Sequence, residues 1–263
     1  MNKPRVSVVQ YLNTVPLIWG MLHGEQQCKY ELTLTTPAGC ADAVRDGEAD
    51  IGIIPSIEYQ RIPGLRVVSG VSIASNGEVK SVLLLSNVPA ERVRTVAADN
   101  SSRTSVALVR ILLEKFYLRQ VAMTPADPKP DEMLKRADSA LLIGDPALAY
   151  RGPAPHTYDL AAEWRKFTGL PFVFALWAGR EDTVLEEVGR DFRDSRDYGL
   201  AHIDELAREC APRYNMRPEE VKVYLTENID YNLGEDHRHG LDLFYRLARE
   251  VGVISEVRDL VFV

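Results

Sequence analysis

Two runs of strand and helix, one set inside the other, constrain the fold of this chain more than any single motif does. Short apolar β-type runs alternate with helical patterns from the start. Strands are expected at residues 6–9, 31–35, 51–54, 65–73 and 79–85, with helices at 15–23 and 40–47 between the first three. The pattern restarts at residue 95. A strand at 95–98, a helix at 104–117, a strand at 120–123, a short helix at 131–136, a buried strand at 140–143 and a helix at 159–167 follow. A strongly apolar strand at 171–177 closes this section. Beyond Gly179 the periodicity is helical, at 183–210 with an interruption near Gly199, at 218–226 and at 235–251, before a last apolar run at 260–263 that reads as a short strand or a docked tail. Such alternation argues an α/β architecture with mostly parallel pairing.

Two long apolar strands, 79–85 and 172–178, bracket the middle section. A lobe entered by one strand and left by another implies two lobes joined by two neighbouring connections. The expected division is 1–87 with 175–263 for lobe I and 88–174 for lobe II, each of ordinary size for a folding unit in a chain of 263 residues. Ligands of such folds lie beyond the carboxyl ends of strands, here in the cleft between the lobes.

Bulk properties remove several classes of partner. The net charge of −7 leaves no basic stripe for nucleic acid. A local field at a helix end can still hold an anion. No stretch approaches the roughly 20 apolar residues that span a bilayer, so no membrane partner is expected. Residues 1–5 run into the first strand without the apolar region of a secretory signal. Cys28, Cys40 and Cys210 are odd in number and too scattered for a metal motif or a disulfide framework, which points to a reduced, cytoplasmic compartment. Nucleophile elbows, zinc-protease helices and glycine-rich phosphate or dinucleotide loops are missing, and His237 and His239 diverge on a helix. Neither a metal nor another cofactor is expected. A binding protein fits, and so does an enzyme that needs little acid–base machinery.

The residues most suited to holding a ligand sit at strand ends. Ser101, Ser102, Arg103, Thr104 and Ser105 lie between a strand and a helix, so four hydroxyls and a guanidinium gather at a helix N-terminus. Free N–H groups and the helix dipole favour a carboxylate or phosphate there. Plain N-capping is the competing explanation, but it needs only one or two hydroxyls. After the first strand come Tyr11, Asn13, Thr14 and Pro16. Thr14 and Pro16 are explained by a helix start, whereas Asn13 has an amide able to hold a hydroxyl or an oxyanion. Ser56 is a natural cap for a short helix, and Glu58 reads as an exposed helical residue or, less commonly, a base. Gly144 permits a close backbone approach, and Asp145 followed by Pro146 reads as an N-cap. Ser81 lies on the first bracketing strand and faces either cleft or solvent.

Taken together, these segments resemble a known family. The run from Val8 to Leu17 (VVQYLNTVPL), DIGIIP at 50–55, VKSVLL at 79–84, SSRTS at 101–105, IGDPAL at 143–148 and TGLPFVFA at 168–175 are similar to the chorismate dehydratases of the futalosine route to menaquinone. The resemblance spans most of the chain in order and is weakest after Arg180. It implies a type II periplasmic-binding-protein fold used as a cytoplasmic enzyme that removes water from chorismate to give 3-[(1-carboxyvinyl)oxy]benzoate. By the matching positions, Asn13 and Ser81 are the expected catalytic residues. Tyr11, Thr14, Ser56, Ser101, Ser102, Thr104, Ser105, Gly144 and Asp145 are expected around the substrate, with Arg103 ranked below its neighbours. The substrate's own enolpyruvyl carboxylate is the expected proton acceptor. Two alternatives stay open: a non-catalytic solute-binding or ligand-sensing protein of this fold, and the sister enzyme acting on cyclic dehypoxanthine futalosine, which the Tyr-Leu-Asn-Thr opening disfavours.

Overall fold

Residues 3–99, 101–181, 183 and 186–263 are described in the computed structural model. Along them run the strands β1 (Arg5–Val9), β2 (Glu31–Thr35), β3 (Ile51–Pro55), β4 (Leu65–Ser75), β5 (Val82–Ser86), β6 (Thr95–Asp99), β7 (Ala122–Ala126), β8 (Ser139–Ile143), β9 (His156–Asp159) and β10 (Phe172–Arg180). The helices are α1 (Val15–His23), α2 (Pro37–Arg45), α3 (Ser56–Tyr59), α4 (Arg103–Ile111), α5 (Pro130–Arg136), α6 (Gly144–Ala149), α7 (Leu160–Thr168), α8 (Glu186–Ala201), α9 (Ile203–Tyr214), α10 (Pro218–Val223) and α11 (Glu235–Glu250).

These strands form two five-stranded sheets, ordered β2-β1-β3-β10-β4 and β7-β6-β8-β5-β9. The expectation of mostly parallel pairing fails. β10 runs antiparallel to β3 and β4, and β5 runs antiparallel to β8 and β9. The cause is topological, because each sheet inserts one strand that has just arrived from the other. The chain crosses at residues 76–81 into β5 and at 169–171 into β10. Val82–Ser86 therefore pairs in the second sheet, although the expected boundary fell at residue 87. Phe172 and Val173 pair in the first, although that boundary fell at 174. An apolar strand beside a crossing shows its burial in the sequence, but not which ladder it completes.

Side-chain alternation divides the core of the second sheet. Leu141 and Ile143 face the main core, whereas Ala140 and Leu142 face a smaller cluster with Leu85 and Met133. On the first lobe, α8 crosses α1 closely. A Cβ at Gly199 would stand 2.2 Å from the Pro16 carbonyl oxygen, so this glycine serves helix contact, and the helix breaks later, at His202. The expected helix from residue 183 is described from Glu186, since 184 and 185 lie outside the described residues. The C-terminal run docks as a tail on β4 through an isolated parallel bridge, with Val67 N–H donating to Val261 O at 2.8 Å and Val263 N–H to Val67 O at 3.0 Å.

Candidate functional site

The N-terminus of α4 opens on a cavity of about 60 Å³ between the two sheets. Ser102 occupies the N-cap position, yet no side chain caps the helix. The hydroxyls of Ser102 and Ser105 have no hydrogen-bond partner among the described residues, although both serines are 4% exposed. Capping therefore does not explain this turn. Buried, unpaired donors at the positive end of a helix form a site for an anion's oxygens. Thr104 lines the cavity too, but its Oγ1 accepts from Ile57 N–H at 3.2 Å in the other lobe. Ser101 stays out of the lining. Its hydroxyl donates to Asp99 at 2.7 Å and lies 3.4 Å from the Tyr11 hydroxyl.

The facing wall comes from the β1–α1 turn and the first crossing. Tyr11, Asn13 and Ser81 line the cavity, and Thr14 does not. The Thr14 hydroxyl donates to Asn13 Oδ1 at 3.4 Å, which leaves the amide N–H groups of Asn13 as its free chemistry. Ser81 is fully buried. Its hydroxyl accepts from Tyr224 at 2.8 Å and donates to Val79 O at a long 3.3 Å. The backbone before Ser81 is held by Asp159, whose carboxylate accepts from Val79 and Lys80 N–H and also caps α7 through Ala161 and Ala162. Lys80 takes the left-handed conformation at φ 58° within that clamp.

Four expected contact residues are structural links. The Ser56 hydroxyl donates to Val173 O at 2.8 Å, outside the cavity, and Pro55 holds the cap position of α3. Gly144 does line the cavity, but its φ of 60° and missing Cβ serve a protein contact. A Cβ there would stand 2.5 Å from the Tyr11 ring across the cleft. Asp145 is no cap. Helix α6 begins one residue earlier, and the carboxylate instead accepts from Leu12 N–H at 3.0 Å in the opposite lobe. Burial raises its pKa to about 6 against the opposing Leu12 bond. Thr14 is taken up by Asn13, as above.

Arg103 completes the bridging. It also lines the cavity, but its guanidinium bonds Glu58 at 2.9 Å and Asp42 at 2.9 Å, so it ties lobe to lobe. Glu58 is neither exposed nor a free base: it is 1% exposed and also meets Arg45 and Arg61. Among the described residues, no carboxylate or histidine lines the cavity. Asp99 is close by, but Ser101 occupies its Oδ1. The arrangement can orient an oxyanion-bearing ligand by hydrogen bonds, and it offers no side-chain base at the ligand's surface.

Two contributors escape sequence reasoning. Glu58 reads as an ordinary helical residue because two of its three arginine partners, Arg45 and Arg103, arrive from other segments. Tyr224 reads as a core position of a helix, 143 residues from Ser81. No local signal reports either.

The family model described as menaquinone biosynthesis matches residues 4–250. A chorismate dehydratase from Thermus thermophilus is 30% identical over 257 residues, covering 89% of this chain and 91% of that protein. A chorismate dehydratase from Campylobacter jejuni is 27% identical over 206 residues, 78% of this chain and 77% of that protein. Among solved structures, a protein from Archaeoglobus fulgidus superposes with a TM-score of 0.76 at 21% identity, covering 96% of this chain and 98% of that one. The periplasmic aliphatic sulphonate binding protein of Escherichia coli does so with 0.62 at 15% identity, covering 96% and 94%. These likenesses show the periplasmic-binding-protein fold.

Proposed function

The chain belongs to the menaquinone biosynthesis family, and from that membership together with the cleft we infer that it is a chorismate dehydratase, a carbon–oxygen lyase releasing 3-[(1-carboxyvinyl)oxy]benzoate and water. Chorismate carries two carboxylates, a ring hydroxyl and an enolpyruvyl ether. In the reaction, the C–H bond beside the ether and the neighbouring C–O bond break. The C–H electron pair becomes the new ring double bond, and hydroxide leaves and takes up a proton as water. Aromatisation drives the step, so the protein chiefly has to orient the substrate and stabilise charge.

The uncapped α4 N-terminus is the observation that carries this reading. Ser102 and Ser105, with the N–H groups of the first turn, receive one carboxylate. Asn13 and Ser81, on the facing wall, receive the leaving hydroxyl or the second carboxylate. Among the described residues the cavity lining has no carboxylate or histidine, which supports the enolpyruvyl carboxylate as the internal base. Its proton then goes to the departing hydroxide, and no protein group changes its protonation state over the cycle. Closure over the substrate excludes water and strengthens each of these hydrogen bonds.

Incubation of the purified protein with chorismate, followed by chromatography, tests the reading. Formation of the enolpyruvyl benzoate above a protein-free blank is the expected result. Tight chorismate binding without that product rejects the enzyme in favour of a sensor of the same fold.

A further inference from the structure

We propose that Tyr224, in the C-terminal helical region, is a positioning residue for the dehydration, setting the hydroxyl of Ser81 toward the substrate. The proposal rests on the role assigned to Ser81 above. Tyr224 lies outside the cavity lining and is 3% exposed. Its hydroxyl donates to Ser81 Oγ at 2.8 Å. A buried group outside the cavity therefore touches a residue that lines it.

The hydrogen-bond count gives this contact its direction. A serine hydroxyl has one proton and two lone pairs. Tyr224 occupies a lone pair of Ser81, so the Ser81 proton points elsewhere. Its present acceptor, Val79 O, lies at a weak 3.3 Å, and a substrate oxygen at ordinary distance displaces it. Donation from Tyr224 also polarises the Ser81 hydroxyl and makes it a stronger donor. Burial pushes the phenol far above its ordinary pKa, so it remains a donor at every working pH.

Local backbone geometry brings the tyrosine there. Residues Tyr224–Asn228 form a π-helical turn after α10. The wider turn carries Tyr224 and Asn228 to the same crossing segment, where Asn228 Nδ2 donates to Glu78 O at 2.9 Å. Such π turns recur at functional sites because they re-aim side chains that a regular helix would place elsewhere. The lobe crossing is thus held at residue 78 and at residue 81 from one turn.

Steady-state kinetics of Tyr224→Phe, Ser81→Ala and the double variant test the proposal, with circular dichroism to confirm folding. The expected result for Tyr224→Phe is a fall in kcat of about 10- to 100-fold with KM changed less than about threefold. The double variant should be no slower than Ser81→Ala alone, because Tyr224 acts through Ser81. A Tyr224→Phe kcat within about twofold of the parent, or losses that multiply in the double variant, overturns the proposal. If Tyr224→Phe fails to fold, a product complex of the parent decides instead, by whether Ser81 Oγ sits between Tyr224 Oη and the ligand. Should the parent make no enolpyruvyl benzoate, the functional reading falls. The crystal structure of Tyr224→Phe then decides the positioning: a Ser81 side chain turned to another rotamer upholds it, and an unmoved one overturns it.

Discussion

Replacing Gly144 by alanine separates lobe closure from folding. Two penalties act at this position. The backbone φ of 60° is left-handed, which costs a residue with a Cβ about 1–2 kcal/mol whether the cleft is open or closed. The added Cβ would also stand 2.5, 2.6 and 2.7 Å from three carbons of the Tyr11 ring. Gly144 and Tyr11 belong to opposite lobes, so this overlap arises only on closure, and relieving it costs about 1–3 kcal/mol. The first penalty lowers the melting temperature by a few degrees, at about 2–4 °C per kcal/mol for a chain near this size. The second appears in kcat/KM as a loss of about 5- to 150-fold. Steady-state assays with chorismate and thermal melts measure the two separately. In a Tyr11→Ala background the ring is gone, and Gly144→Ala should then cost less than about twofold in kcat/KM beyond Tyr11→Ala alone. The same loss in both backgrounds, or a single variant within about twofold of the parent, refutes a closure contact between these residues.

Ser102→Ala combined with Ser105→Ala removes the two unpaired hydroxyls and leaves the backbone donors. It should raise KM by about 5- to 30-fold and leave the melting temperature within a degree or two, since two ligand hydrogen bonds are worth about 1–2 kcal/mol together. A Glu58→Gln change strips the buried partner from Arg45, Arg61 and Arg103. It should destabilise the fold by about 2–4 kcal/mol, read by denaturant unfolding, because three guanidinium groups lose their shared counter-charge. For Asp145, burial raises the pKa from 3.8 to about 6. The stability tied to its proton is then fully present below about 3.8 and is lost as pH rises through about 6. Asp145→Asn keeps an acceptor for Leu12 N–H and removes the buried charge. Near pH 7 it should melt at the parent's temperature or above it, by up to about 1 kcal/mol after allowing for solvent screening. A clear drop at that pH contradicts the burial argument.

Much of the strand and helix order was legible because each element repeats its own period. Strands β1, β2 and β3 and helix α1 fall within a residue of their expected ends. β9 was not legible. Its sequence, His-Thr-Tyr-Asp, has no alternating apolar face and pairs only at the sheet edge. The ligand-facing turns were visible as polar clusters at strand ends, and Asn13, Ser81, Ser102, Thr104 and Ser105 do meet around one cavity. Roles within those clusters were less visible. Asp145 has the local signature of a cap, but its partner, Leu12, is 133 residues away. Ser56 looks like a cap and bonds a carbonyl of β10. Local pattern reports backbone geometry, while long-range hydrogen bonds depend on how the two lobes meet.

A crystal structure of the protein with 3-[(1-carboxyvinyl)oxy]benzoate tests the cleft reading most directly. One product carboxylate should lie within about 3.2 Å of the Ser102 or Ser105 hydroxyl and the first-turn N–H groups of α4, with Asn13 and Ser81 facing the ring carbon that lost its hydroxyl. A product bound elsewhere, or one whose carboxylates avoid the α4 N-terminus, contradicts it.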